Sequence, residues 1–471
     1  MLLGALAGGM GWGIRGQYGH ETGAMMAGLL VSSVAAVLFG GQASGLGTLR
    51  AIAWGTLGIG IGGSMTYGQI MGWTQNHQNS GDWNAWAWGM QGLAVTGAIW
   101  IGFGGAFLGM GLGGKKYTAT EMLVLLGCLL GLYHLGVWLL NQPFDPKNQQ
   151  LPWLYFSNRL DKPRFECWGG LGLALTGLLV YLAGKNDTLG WRLGWFGVLG
   201  GALGFPGGQS WQSWHAWNRE WIATSWFGPW ANLINWWNLM EITFGMVMGA
   251  TLLLGLWWNR TRILPADLEC ESCQGKATDG WFLFAHLTLL TLAEFLEVPL
   301  LNAWYGLGLV MVVLPLAASV ESCRWPGWIV GPVVVLPIAG KTLRYMAERH
   351  GGLSAMDWLM YLVLPLVVAF CFAWRLNRKV RQGCDGAVVG SKVLLFGAWM
   401  FFLLNFAFFD YPWPWQPWTG RTPSALVYVV CLAGLSWAAI TLSAKSAFAK
   451  PLARATRPGA ENSLEQKHFE S

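Results

Sequence analysis

Apolar runs long enough to reach across a bilayer recur along most of this chain, and that feature fixes the kind of fold open to it. Hydrocarbon offers the backbone no water, so each N–H and C=O must be paired within its own helix or around a closed barrel. A barrel would show ten-residue stretches of alternating polarity, whereas these runs are continuous. The sequence therefore predicts an all-α, polytopic integral membrane helical bundle with about 12–14 transmembrane or half-membrane segments. The runs fall at approximately 1–13, 21–40, 51–72, 85–112, 120–140, 167–184, 193–206, 233–258, 281–300, 304–320, 328–339, 357–374, 393–409 and 424–443. Those at 1–13, 193–206 and 328–339 are short for a full crossing and read as half-helices, re-entrant pieces or runs whose ends are drawn too short.

Composition agrees. Only 11% of the residues are charged, against about 25% in soluble domains. The net charge of +6 is no nucleic-acid signal, because its Lys and Arg sit in short loops and the tail, where membrane orientation accounts for them. Placing the loop at 375–392 and the tail inside, and alternating backwards, puts about 19 basic residues inside and about 10 outside. The expected setting is a multi-pass cell membrane protein (the inner membrane in a Gram-negative cell) with a cytoplasmic C-terminus. The chain opens inside an apolar run with no basic segment before it, so no cleavable signal peptide is expected. The expected divisions are an N-terminal membrane domain at 1–258, a cytoplasmic loop at 259–280 with Cys270 and Cys273, a C-terminal membrane domain at 281–443, and a cytoplasmic tail at 444–471.

One local pattern occurs three times. A glycine-rich apolar run meets a Gly-Gln pair, then a polar segment with a histidine, then another apolar run. The copies centre on Gly16-Gln17 with His20, Gly68-Gln69 with His77, and Gly208-Gln209 with His215; glycine also recurs nine positions before each glutamine, at Gly8, Gly60 and Gly200. Glycine tolerates unusual backbone angles and glutamine both donates and accepts. Broken backbone at membrane depth is tolerated within protein or beside a water-filled cavity. The pattern thus points to internal repeats around a polar chamber, and all three junctions fall on the external side. The plain alternative is close helix packing through small residues, which explains the four-residue glycine spacings.

An ionisable or amide group follows each copy in the next helix: Glu21, Gln91 and Glu241. Such groups are costly in a membrane and are functional candidates by default, with an internal ion pair as the bland alternative. Arg15, Asp82 and Glu220 lie near the same junctions, and His286, Glu294 and Glu297 could share one helix face as a relay or as a polar stripe. The histidines differ in spacing from their glutamines, so no metal site and no cofactor are expected. The 33 Trp cluster near these loops. Flat apolar faces mixed with amides and charges suit a sugar ring or a quaternary cation, although interfacial anchoring must account for most of them. Cys128, Cys371 and Cys431 read as buried in helices, within a mostly reduced set.

The preferred reading is a transporter or channel-like protein for a small polar, sugar-like solute. Its substrate-binding residues would be Gln17, His20, Glu21, Gln69, His77, Gln91, Gln209, His215 and Glu241, and its partners the lipid bilayer and that solute, with no nucleic acid. The alternatives are a membrane-embedded glycosyl- or acyl-transferase-like enzyme at the outer face, with a histidine as base, and a structural or assembly protein of the membrane.

Overall fold

A computed structural model describes residues 1–455 except 17, 20, 64, 66, 264–276, 297, 307–308 and 409–420; it leaves aside the side chains of 21, 42, 277, 306, 309–310, 350, 407–408 and 443–455. The fold is an all-α polytopic bundle, and each expected apolar run lies wholly or in large part on helix. In chain order these are α1 (Leu2–Arg15), α2 (Glu21–Phe39), α3 (Gly45–Gly62), α4 (Trp83–Leu112), α5 (Ala119–Leu140), α6 (Trp168–Gly184) and α7 (Thr188–Trp217). They continue as α8 (Trp236–Trp258), α9 (Ala277–Phe295), α10 (Leu309–Glu321), α11 (Trp325–Arg349), α12 (Ala355–Arg381), α13 (Gly386–Phe408) and α14 (Thr422–Ala455). Among the described residues, eight helices are long and apolar enough to cross a membrane: α2, α4, α5, α8, α11, α12, α13 and α14.

Three expected boundaries change. The run at 193–206 is no half-helix: it belongs to α7, which has 30 residues and carries on through Gly208-Gln209 to Trp217. The run at 328–339 extends to the 25 residues of α11, bent where Gly331 leaves helical angles just before Pro332; proline disfavours the helical region for the residue ahead of it. The run at 51–72 stops as a helix at Gly62. Beyond it the chain is irregular yet holds Met65, Tyr67, Ile70 and Met71 buried. Two cysteine expectations also change, since Cys128 and Cys371 are exposed while Cys431 is buried, and Cys323 is disulfide-bonded.

Three helix pairs, α1–α2, α3–α4 and α7–α8, close into a ring, because α2 packs on α3, α4 on α7, and α8 on α1. Glycine makes these contacts close. A Cβ at Gly8 would land on the Gly245 carbonyl, one at Gly201 on the Gly97 carbonyl, and one at Gly62 on the Trp100 backbone. Small residues at such crossings let helix backbones approach, which is how apolar helices gain packing energy in lipid. The ring is filled. Trp12 of α1, Trp100 of α4, Phe205 of α7 and Phe244 of α8 meet inside it, with Trp12 and Trp100 centroids 5.2 Å apart and Phe205 stacked on Phe244 at 5.0 Å. Around the ring, α5 and α6 pair beside α4, α10 lies on α3 and α5, and α13 with α14 covers α2 and α1.

Loop contacts gather at two ends. At one, Arg50 donates to the carbonyls of Ser319 and Val320 (2.9 and 3.0 Å), Ser44 bridges to Asp385, and Tyr117 donates to Asp187. At the other, Gln69 donates to the Lys162 carbonyl (3.0 Å), Trp73 to the Phe156 carbonyl (2.8 Å), and Gln209 to Thr74 (2.7 Å).

Candidate functional site

Inside the ring, at the end that carries the Gly-Gln junctions, one buried cation meets one buried carboxylate. Arg15 closes α1 and Glu241 sits in the second turn of α8; each is 1% exposed. Tyr67, from the irregular segment after α3, lies between them: Arg15 Nη1 donates to its hydroxyl (3.0 Å), which donates to Glu241 Oε1 (2.8 Å). The Arg15 Nη1 to Glu241 Oε1 separation is 3.6 Å. Trp237 Nε1 donates to the same oxygen (3.2 Å), and Asn238 Nδ2 is 3.4 Å from Oε2. Asn238 also donates to the Gly13 carbonyl (2.6 Å) and accepts from the Tyr428 hydroxyl (2.6 Å), which ties α1, α8 and α14 to this point.

The guanidinium lies 5.0 Å from the Trp12 ring centre, 5.2 Å from that of Tyr67 and 4.9 Å from that of Trp100. Aromatic faces attract a cation most where water is excluded, so the cage and the carboxylate together offset the cost of burying the charge. Gly16 completes the arrangement, since a Cβ there would strike the Glu241 carboxylate.

Above this pair is a polar cleft of about 650 Å³, within the ordinary range of ligand pockets of about 300–1,000 Å³. Its walls are Gln75, Asn76, His77 and Gln78 from the segment before α4, Gln212, His215 and Ala216 of α7 with Arg219 just beyond it, and Asn235, Trp236 and Trp237 at the start of α8. Trp237 belongs to both places. The residue lines the cleft, and its indole stacks on Tyr67 (5.7 Å between centroids) and bonds to Glu241. His215 lies flat on Trp236, 4.4 Å between centroids. Burial, with Arg219 as a smaller cause, holds the His215 imidazole below its usual range. The loop at 141–167 backs the site: Glu166 accepts from the Phe156 and Ser157 amides and the Ser157 hydroxyl, although burial keeps its carboxyl above the usual range.

The structure gathers some sequence candidates and disperses others. Arg15 and Glu241 meet; His77 and His215 line one cleft; Gln209, inside α7 and not at a helix break, bonds to Thr74 beside that cleft. Gln69 instead fastens the 141–167 loop, Gln91 is exposed on α4, and Asp82 caps α4 by accepting from Asn84 and Ala85 amides. Glu220 is exposed. His286 is buried with no hydrogen-bond partner among the described residues, whereas Glu294 pairs with Arg344 (2.8 Å) and accepts from Tyr305 (3.1 Å). Gln17, His20, Glu297, Cys270, Cys273 and the Glu21 side chain lie outside the described residues.

Among the described residues, no group of three His, Cys, Asp or Glu side chains could hold a metal ion. Sequence reasoning missed Tyr67, Trp12 and Trp100 as parts of the site. One signal was available: Arg15 and Tyr67 each stand immediately before a Gly-Gln pair. No family model, curated protein or solved structure matches the chain.

Proposed function

We propose that this polytopic membrane protein is a transporter for a small polar solute, which enters at the cleft between the second and third Gly-Gln segments. The observation that carries the reading is Trp237. Trp237 lines the cleft and, through its indole N–H, bonds to Glu241, the carboxylate beside the aromatic cage among the described residues. A solute displacing that ring would reach Arg15 and Glu241, and a change in their pairing would be felt by α1, α8 and the broken segment after α3. Transporters place substrate sites where repeated helical units meet and where helices break. The three helix pairs of the ring, each carrying one Gly-Gln copy, are on this reading an internal repeat. Glu241 is the group that would take a proton or coupling ion, since a carboxylate turned to the interior of a membrane bundle suits that role.

The excess of Lys and Arg at the opposite end supports an extracytoplasmic cleft end. The disulfide at Cys323, on the Lys- and Arg-rich end, pulls the other way.

The test is uptake into proteoliposomes of a labelled panel of sugars, polyols and sugar acids. At least one solute should accumulate above protein-free vesicles. Glu241→Gln and Gln209→Ala should each lower that uptake about tenfold or more, the loss expected for one buried polar contact of about 1.4 kcal/mol. Gly127→Ala, in open space on α5, should leave it unchanged. No uptake of any solute, or unchanged uptake in both site variants, contradicts the proposal.

A further inference from the structure

The charge in the cleft has one sign. Arg219, His77 and His215 are its ionisable side chains, every other polar residue in its walls is an amide or an indole, and no carboxylate lines it among the described residues. Arg219 has no carboxylate within ion-pair distance among those residues. Glu220, its neighbour in sequence, is exposed and is not part of the walls. Burial disfavours the charged form of His215, and the Arg219 guanidinium supplies the fixed positive charge of the cleft. A second feature points to hydroxyl groups. Gln75, Asn76, Gln78, Gln212 and Asn235 line the cleft, and a side-chain amide both donates to and accepts from a hydroxyl. Beside them, the paired rings of His215 and Trp236 give a flat apolar face.

We propose that the solute of this cleft is a small hydroxylated organic anion of the sugar-acid class, with its carboxylate on Arg219 and its hydroxyls on the amides of the walls. A quaternary cation, which the aromatic content alone would also suit, has no counter-charge here. Guanidinium–carboxylate bonds are about twice as strong as neutral ones, so charge decides between otherwise similar solutes. The inference rests on reading the cleft as a solute site and does not require transport.

Calorimetric titration of the purified full chain at constant ionic strength, with glucuronate and with glucose, separates the two claims. The two probes share the same pyranose ring and differ in the carboxylate that replaces one CH2OH group. Glucuronate should bind about tenfold more tightly than glucose, which corresponds to about 1.4 kcal/mol, and Arg219→Gln should abolish that preference without weakening glucose. Arg219 is exposed, so the variant is expected to fold. If glucose binds as well as glucuronate, or if Arg219→Gln keeps the preference, the anion assignment is overturned and the cleft remains a solute site. If neither probe binds, the cleft reading falls and the inference with it.

Discussion

At the scale of single residues, the Arg15–Tyr67–Glu241 group sets a specific expectation. A buried charge left without its partner costs about 3–5 kcal/mol, whereas replacing both partners by apolar residues of similar volume is often neutral or stabilising. Arg15→Met and Glu241→Leu should therefore each lower the unfolding temperature sharply, and the double variant should recover most of the loss. Thermal unfolding in detergent reads this out. Two independent, additive losses would show that the residues do not act as a pair. Glu241 was legible in the sequence because a lone carboxylate within an apolar run has few harmless explanations. Tyr67 and Trp237 were not. Tyr67 acquires its role through a partner 174 positions away, and Trp237 is one indole among many until its two faces are known.

At the scale of helices, hydropathy located the elements and misjudged some of their ends. The run at 193–206 looked too short because Gln209, Gln212 and the tryptophans dilute its C-terminal half. The helix continues regardless, since its backbone bonds are internal and its glycines seat it on α4 and α8. That packing makes a contrast. In Gly201→Leu the new side chain meets the Gly97 backbone carbonyl and the Ala98 amide, atoms that cannot turn aside, so the α4–α7 crossing must open. Overpacking of this kind costs about 1–3 kcal/mol or more. Gly127→Leu, facing open space on α5, should change stability little. Equal losses of unfolding temperature for the two variants would mean that the glycine crossings do not hold the ring together. The third Gly-Gln copy teaches the same lesson: the pair resembles the others in sequence, yet it lies in continuous helix with Gly208 against the Met240 backbone.

At the scale of the whole molecule, a filled ring of helix pairs holds a buried charge pair near one end, beside an amide-rich cleft. The two are separated by one indole. Thiol accessibility tests that arrangement most directly. In a cysteine-free background, Asn76→Cys in the exposed wall of the cleft should react with a membrane-impermeant methanethiosulfonate added outside intact cells, which also reports the side the cleft faces. Tyr67→Cys, buried behind Trp237, should stay unreactive on its own and become reactive once Trp237→Ala is added. If Asn76→Cys reacts, from either side, while Tyr67→Cys remains silent in the Trp237→Ala background, the cleft does not lead to the charge pair and the central claim is contradicted.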